Sequence, residues 1–113
     1  MHVHTVETLE ALQTLQYESE ALLVLYGGSE CNVCDVVKPQ IITQVEEKYP
    51  KMRMVYVDCH KTTDICSQNG IFSLPVVQVY FTGQKFIEEV RSFSVGKLMN
   101  DIQRPYLMCF DEV

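Results

Sequence analysis

Two cysteines three positions apart, Cys31 and Cys34, are the residues of this sequence best suited to carry chemistry. One turn of helix brings such a pair close enough to form a short disulfide loop or to hold two sides of a metal ion. Cys31 lies at the start of a predicted helix, where unpaired N–H groups and the helix dipole favour thiolate over thiol. The pair therefore indicates thiol–disulfide exchange, with a metal site as the alternative.

The composition limits the classes of protein to consider. The chain has 113 residues, enough for one domain with a single core. Its net charge of −6 argues against a nucleic-acid surface or an anionic membrane patch. No apolar run reaches the length of a membrane span and no secretion signal is visible, so we expect a cytoplasmic protein. The odd count of five cysteines fits a structural disulfide framework poorly and favours a redox-active or metal-binding pair.

Apolar periodicity predicts an α/β domain. The predicted elements, in chain order, are a helix at 5–17, a strand at 21–26, a helix at 32–48, a strand at 52–57, a short helix or irregular crossover at 61–69, strands at 76–81 and 85–90, and a helix at 94–102. The last helix is expected to stop before Pro105. Strand–helix–strand units imply parallel crossovers, and the closing hairpin adds an antiparallel edge. We therefore expect a central four-stranded mixed sheet, with room for a short fifth strand, and helices on both faces.

Taken together, these features resemble the thioredoxin family over most of the chain. The Cys-x-x-Cys pair follows the first core strand, and Pro39 lies five positions after Cys34. The segment Gly70-Ile71-Phe72-Ser73-Leu74-Pro75 matches the proline element of the family, and Phe81-Thr82-Gly83 matches its hairpin in shortened form. A lone Cys-x-x-Cys is a weak signal, but its combination with the proline element is specific.

The resemblance implies a thiol–disulfide oxidoreductase that needs no cofactor. Cys31 would be the nucleophile that attacks a substrate disulfide, and Cys34 would resolve the mixed disulfide. Pro75 would be cis and face the cysteine pair, while the backbone of Leu74 would pair with the substrate chain like an added strand. Pro39 would kink the helix that carries the pair.

The resemblance also implies the partners and the domain organisation. Protein disulfide substrates and a reductase are the expected partners, with no nucleic acid, membrane or metal. We expect a single thioredoxin-like domain over 1–113, with its core at about 5–104 and a tail at 105–113. A monomer is expected, with dimerisation through the apolar tail around Cys109 as the alternative.

The chain departs from the family pattern around the cysteine pair. The family usually has Trp before the first cysteine and Gly-Pro between the two, where this chain has Glu30, Asn32 and Val33. The Glu30 carboxylate disfavours the neighbouring thiolate. Leu25 replaces the buried acid that accepts the proton of the resolving cysteine, and Asp35 is a weaker substitute because its helix position points outward. These departures predict a detuned site and keep open a second hypothesis, a thioredoxin-fold binding or redox-sensing module with little reductase activity.

Further cysteines lie outside the pair. Cys59 and His60 follow the second predicted core strand, at the sheet edge that also carries Cys31, so the fold can bring them near the active pair. Cys59 is a candidate regulatory thiol, or a zinc ligand together with His60, Cys31 and Cys34. The favoured interpretation of Cys59 is a small loop residue, and that of Cys66 is a buried small hydrophobe.

Overall fold

The computed structural model describes residues 3–28, 32–71, 73–90 and 94–110, with the backbone alone for 32–34. The elements are β1 (Val3–Thr5), α1 (Leu9–Glu18), β2 (Ala21–Gly27), α2 (Asn32–Lys48), β3 (Arg53–Asp58), α3 (Thr63–Gln68), β4 (Val76–Phe81), β5 (Gln84–Val90) and α4 (Val95–Cys109). Their order is the predicted one, preceded by the short strand β1. None of the helices in these ranges is long and apolar enough to cross a membrane.

The strands form one mixed sheet in the order β1-β3-β2-β4-β5. Strands β1, β2 and β3 run parallel to one another, β4 runs antiparallel to β2, and β5 antiparallel to β4. All seven residues of the central strand β2 are buried, because it has neighbours on both sides and helices above and below. The predicted α/β thioredoxin-like fold is confirmed, and β1 supplies the fifth strand.

Alternate residues of β2 face two separate apolar layers, as the period of two in a strand requires. Leu23 and Leu25 pack in the layer that contains α2 and α4. Leu22, Val24 and Tyr26 pack in the layer that contains α1 and α3. The segment that follows β2 therefore leaves the sheet from a strand that is fixed by packing on both faces.

The turn between β4 and β5 explains why the short hairpin closes. Phe81 pairs with Gln84 across a two-residue turn at Thr82 and Gly83. Both turn residues have positive φ, 51° at Thr82 and 82° at Gly83, as in the type I′ turn whose twist matches that of the flanking strands. Glycine at the second position adopts this backbone without a steric penalty. The predicted hairpin is confirmed.

The prediction for the last helix was wrong. It does not end before Pro105 but continues to Cys109, with Pro105 inside it. Tyr106 is buried, and its ring lies 4.7 Å from that of Tyr49 and 4.8 Å from that of Phe110, centroid to centroid. This aromatic packing compensates for the hydrogen bond that proline removes from the helix. The apolar tail, up to residue 110, thus packs on its own chain.

Candidate functional site

The predicted nucleophile lies between the end of β2 and the start of α2. Strand β2 ends at Gly27, and α2 begins at Asn32. Glu30 and Cys31 lie outside the described residues. Cys34 falls in the first turn of α2, where its backbone is helical and its side chain is not described. In the sequence, Cys31 directly precedes this helix of 17 residues.

The predicted substrate-binding segment lies beside this junction. The Leu74–Pro75 peptide bond is cis. Val76, the next residue, pairs with Tyr26 in the antiparallel register of β2 and β4. Pro75 therefore lies level with the end of β2 that leads into the cysteine pair. Pro75 is buried and Leu74 is partly exposed.

Two predicted accessory residues lie further along α2. Pro39 is inside the helix, where it cannot donate a hydrogen bond to the carbonyl of Asp35. The kink expected at Pro39 stays a prediction. Asp35 lies in the first turn and is exposed, which agrees with the outward orientation expected for it.

Leu25 occupies an apolar position next to α2. It is 3% exposed and belongs to the same core cluster as Val37 and Ile41 of that helix. Its partner in the parallel register of β3 is Tyr56. A leucine side chain accepts no proton, so this position supplies neither an acid nor a base.

Tyr56, the partner of Leu25 in β3, carries a polar hydroxyl, but this hydroxyl is not suited to act as a base. The Lys38 Nζ atom lies 3.8 Å from the centroid of the Tyr56 ring, a cation–π contact. Burial raises the pKa of Tyr56, and the charges of Asp58 and Asp35 raise it further. The hydroxyl thus stays protonated at neutral pH and can donate a hydrogen bond but not accept a proton. Local sequence pattern does not indicate this contact, since it depends on the packing of α2 over β3.

The end of β3 is fastened to the end of β2. The Cys59 amide donates to the Gly27 carbonyl over 2.8 Å and so extends the parallel ladder by one bond. Asp58 organises the following turn, because its Oδ1 atom accepts from the amides of His60 (2.9 Å) and Lys61 (3.3 Å). The imidazole of His60 lies against Gly28, which is three residues before Cys31 in the sequence.

Cys59 and Cys66 form a disulfide with an S–S distance of 2.07 Å and a Cα–Cα distance of 5.7 Å. Both residues are buried. The prediction that Cys66 is buried is confirmed, but its interpretation as an unpaired small hydrophobe was wrong. The Cys59 sulfur is bonded to Cys66 and is thus unavailable as a zinc ligand. Within the described ranges, no group of three or more His, Cys, Asp or Glu side chains is arranged to hold a metal ion.

The sequence of the chain is similar to those of several thioredoxins. Thioredoxin from Coprinus comatus is 29% identical over 90 residues, which cover 78% of this chain and 84% of that protein. The chloroplastic thioredoxin-like 3-2 of Arabidopsis thaliana is 22% identical over 95 residues, which cover 83% of this chain. The chain spans only 50% of the length of that relative.

Solved structures show the same fold. Oxidised mitochondrial thioredoxin 3 from Saccharomyces cerevisiae matches with a TM-score of 0.80 at 19% identity, covering 89% of this chain and 93% of that one. Oxidised thioredoxin O2 from Arabidopsis thaliana matches with a TM-score of 0.79 at 17% identity, covering 92% and 94%. The family model described as Thioredoxin matches residues 2–104. The chain therefore belongs to the thioredoxin family.

Proposed function

We propose that the chain is a thiol–disulfide oxidoreductase that exchanges a Cys31–Cys34 dithiol with the disulfides of other proteins. The observation that carries the proposal is the family match over residues 2–104, which includes both cysteines and the cis Leu74–Pro75 bond. The register of β2 and β4 supports it, because it sets that bond level with the strand that leads into the pair.

The reaction is the one that membership of the thioredoxin family implies for the two cysteines. The Cys31 thiolate attacks a substrate disulfide, so that a bond forms between Cys31 and one substrate sulfur while the substrate S–S bond breaks. Cys34, in the first turn of α2, then attacks the mixed disulfide and releases the second substrate thiol. Two electrons pass from the Cys31–Cys34 dithiol to the substrate, and the pair is left as a disulfide.

The substrate chain binds in extended form along the segment that precedes β4. As the family membership implies, the backbone of the partly exposed Leu74 pairs with the substrate as an added strand. Main-chain hydrogen bonds of this kind accept many sequences, which suits an enzyme that acts on several protein disulfides.

The proposal also includes the reductant, the domain organisation, the oligomeric state and the location of the chain. A dithiol-donating reductase returns the pair to its reduced form. Residues 1–113 act as one domain, with a core at about 5–104 and a tail at 105–113, and the chain works as a monomer, since the tail packs on its own chain. A cytoplasmic location is part of the proposal and is tested by imaging the tagged chain.

The expected kink at Pro39 sets the direction of the helix that carries Cys34, and Cys59 acts on the pair only through the segment that it anchors.

Insulin reduction by dithiothreitol, followed by turbidity, tests the proposed activity. We expect the wild-type chain to accelerate precipitation and Cys31→Ser to abolish the acceleration. Cys109→Ser is the matched control, because burial and the Glu20 carboxylate raise the pKa of this thiol and so lower its thiolate fraction. A wild-type rate no faster than dithiothreitol alone, or full activity in Cys31→Ser, would overturn the proposal.

A further inference from the structure

Strand β5 forms an open edge of the sheet. It pairs with β4 on one side, and within the ranges that the structure describes no strand pairs with its other side. With seven residues, β5 is long enough to accept a further strand, whereas the opposite edge strand β1 has three. All seven side chains of β5 are exposed or half-buried. The outward N–H and C=O groups of such an edge are a template for pairing with another chain.

A groove of about 380 Å³ between β5 and α4 borders this edge. It is lined by Phe86, Ile87, Glu88, Glu89, Asp101 and Pro105. The Phe86 ring is 55% exposed and packs edge-on against the ring of Phe81, with a centroid distance of 5.4 Å. A ring that is already held in place offers apolar contact to a partner at little cost in side-chain entropy.

The charged groups that line the groove are all carboxylates. The ammonium groups that contact them belong to two lysines outside the lining. Lys97 Nζ lies 3.2 Å from Glu89 Oε1 and 2.9 Å from Asp101 Oδ2. Lys85 Nζ lies 3.2 Å from Glu88 Oε2. Three carboxylates therefore share two ammonium groups, and the groove complements a partner that brings positive charge.

Pro105 adds a backbone acceptor to the same wall. Proline has no N–H, so the regular helix bond to the carbonyl of Asp101, four residues earlier, is not made. Both residues line the groove. The Asp101 carbonyl thus lacks its usual helix donor beside a carboxylate, and both groups suit a partner that donates hydrogen bonds, as the Lys and Arg side chains do.

The order of residues along β5 specifies a complementary sequence. Residues 87–90 are apolar, acidic, acidic and apolar. A strand added at the edge places one residue opposite each of them, with the opposed Cβ atoms about 5 Å apart. Apolar residues then contact Ile87 and Val90, the second of which is 46% exposed. Two successive basic residues between them contact Glu88 and Glu89. Because this order reads the same in both directions, parallel and antiparallel segments fit.

We propose that the β5 edge and its groove form a docking site for an extended segment of another protein, in which two successive Lys or Arg residues are flanked by apolar residues. The segment adds a strand to the five-stranded sheet, with main-chain bonds for affinity and side chains for specificity. A second copy of this chain does not fit, because its β5 would oppose carboxylates to carboxylates and its net charge of −6 adds repulsion. The site uses no thiol, so this inference is independent of the proposed function.

Fluorescence anisotropy of a labelled peptide, Thr-Val-Ile-Lys-Lys-Val-Thr, tests the site in the full chain. We expect this peptide to bind and to slow the hydrogen exchange of the β5 amides. The peptide Thr-Val-Ile-Glu-Glu-Val-Thr is the control for charge. The basic peptide methylated on both lysine amides is the control for strand pairing, because each of its two edges then lacks a donor. Both control peptides should bind at least about tenfold more weakly.

A double variant, Glu89→Gln with Asp101→Asn, tests the groove itself. We expect it to bind the basic peptide about tenfold more weakly at low salt, and the difference from wild type should shrink as salt is added. Glu7→Gln with Glu10→Gln is the matched control, since it removes the same charge at exposed positions near the start of α1, on the other layer of the protein. This control should bind like the wild type. Thermal unfolding confirms that each variant is folded.

Several outcomes would overturn the docking site. These are no binding of the basic peptide to the wild type, equal binding of the methylated peptide, and binding that leaves the exchange of the β5 amides unchanged. An equal loss of affinity in the two double variants would also overturn it, because general attraction to an acidic chain would then account for the binding. Insulin reduction, which tests the proposed function, is a separate measurement, and neither result decides the other.

Discussion

The adjacent strands β2 and β3 each lead into a segment that carries a cysteine, and the two ends are anchored differently. The end of β3 is held covalently, because Cys59 is bonded to Cys66 of α3. The end of β2 is held by hydrogen bonds, through the buried Tyr26 hydroxyl that donates to Gln78 Oε1 over 3.1 Å. Among the described residues, the covalent anchor thus belongs to the end of β3, and the anchor at the end of β2 is a side-chain hydrogen bond.

Spacing and burial explain why the two cysteine pairs suit different tasks. Thiol–disulfide exchange needs a thiolate to approach one sulfur of the disulfide from outside. Cys59 and Cys66 are 9% and 3% exposed, so their disulfide resists attack and acts as a structural link. The proposed function assigns exchange to Cys31 and Cys34, the second of which lies in the first turn of α2. The burial of Cys59 and Cys66 assigns these two to a structural link.

Cys34→Ser gives the largest effect expected from this comparison. Without the second thiol, the mixed disulfide between Cys31 and a protein substrate cannot be resolved, so we expect a trapped adduct and the loss of repeated turnover. Mass spectrometry of the chain after incubation with an oxidised protein detects the adduct. Cys66→Ser is the matched control and should form none, since Cys34 then remains to resolve it. Repeated turnover by Cys34→Ser would contradict the assignment.

Removal of the buried disulfide has a smaller effect, on stability. In a Cys31→Ser, Cys34→Ser background, further replacement of Cys59 and Cys66 by alanine should lower the free energy of unfolding by about 2.5 kcal/mol, the loop-closure value for residues seven apart. Urea unfolding without reductant measures the loss. Added reductant should destabilise only the protein that keeps the disulfide. Equal stability of the two proteins without reductant would show that the link contributes nothing.

The sequence predicts those features of the fold and the site that depend on residue types and spacing within a short segment. The run of apolar residues in β2, the cysteine spacing and the turn residues of the hairpin each indicate their structure directly, and the proline element indicates the fold by resemblance. Strand β1 has three residues, too few for alternation to reveal it. The extension of α4 past Pro105 depends on the contact of Tyr106 with Tyr49, which lies 57 positions away in the sequence and cannot be inferred from local pattern.

The contacts at the end of β3 were missed for the same reason. The Cys59–Cys66 disulfide requires α3 to fold back on the strand end, and a spacing of seven does not specify this. The contact of His60 with Gly28 depends on the register that pairs Gly27 with Asp58. The one signal available was a glycine just before the cysteine pair, together with a histidine at the same edge of the sheet.

Loss of a hydrogen bond that anchors β2 should have the smallest effect on the free energy of unfolding, and this effect should depend on pH. Tyr26 is fully buried, and its hydroxyl shares Gln78 Oε1 with the hydroxyl of Tyr80 (2.9 Å). Tyr26→Phe should lower the free energy of unfolding by about 1 kcal/mol at pH 8, since one buried hydrogen bond is lost while Gln78 keeps its other partner. Burial raises the pKa of Tyr26 above 10.0, and the charges of Tyr80 and Glu88 add to the shift.

The raised pKa fixes the sign of the pH dependence. Above pH 10 the unfolded chain releases the Tyr26 proton while the folded chain retains it, so the folded state binds more protons and the stability of the wild type falls as pH rises. The phenylalanine variant lacks this loss, and we expect its stability deficit to shrink by about 1 kcal/mol between pH 8 and pH 11. Urea unfolding across this range measures the deficit, with Tyr17→Phe as control because that ring is 88% exposed. A deficit that stays constant with pH would show that Tyr26 ionises equally in both states and that burial at the end of β2 is weaker than the packing implies.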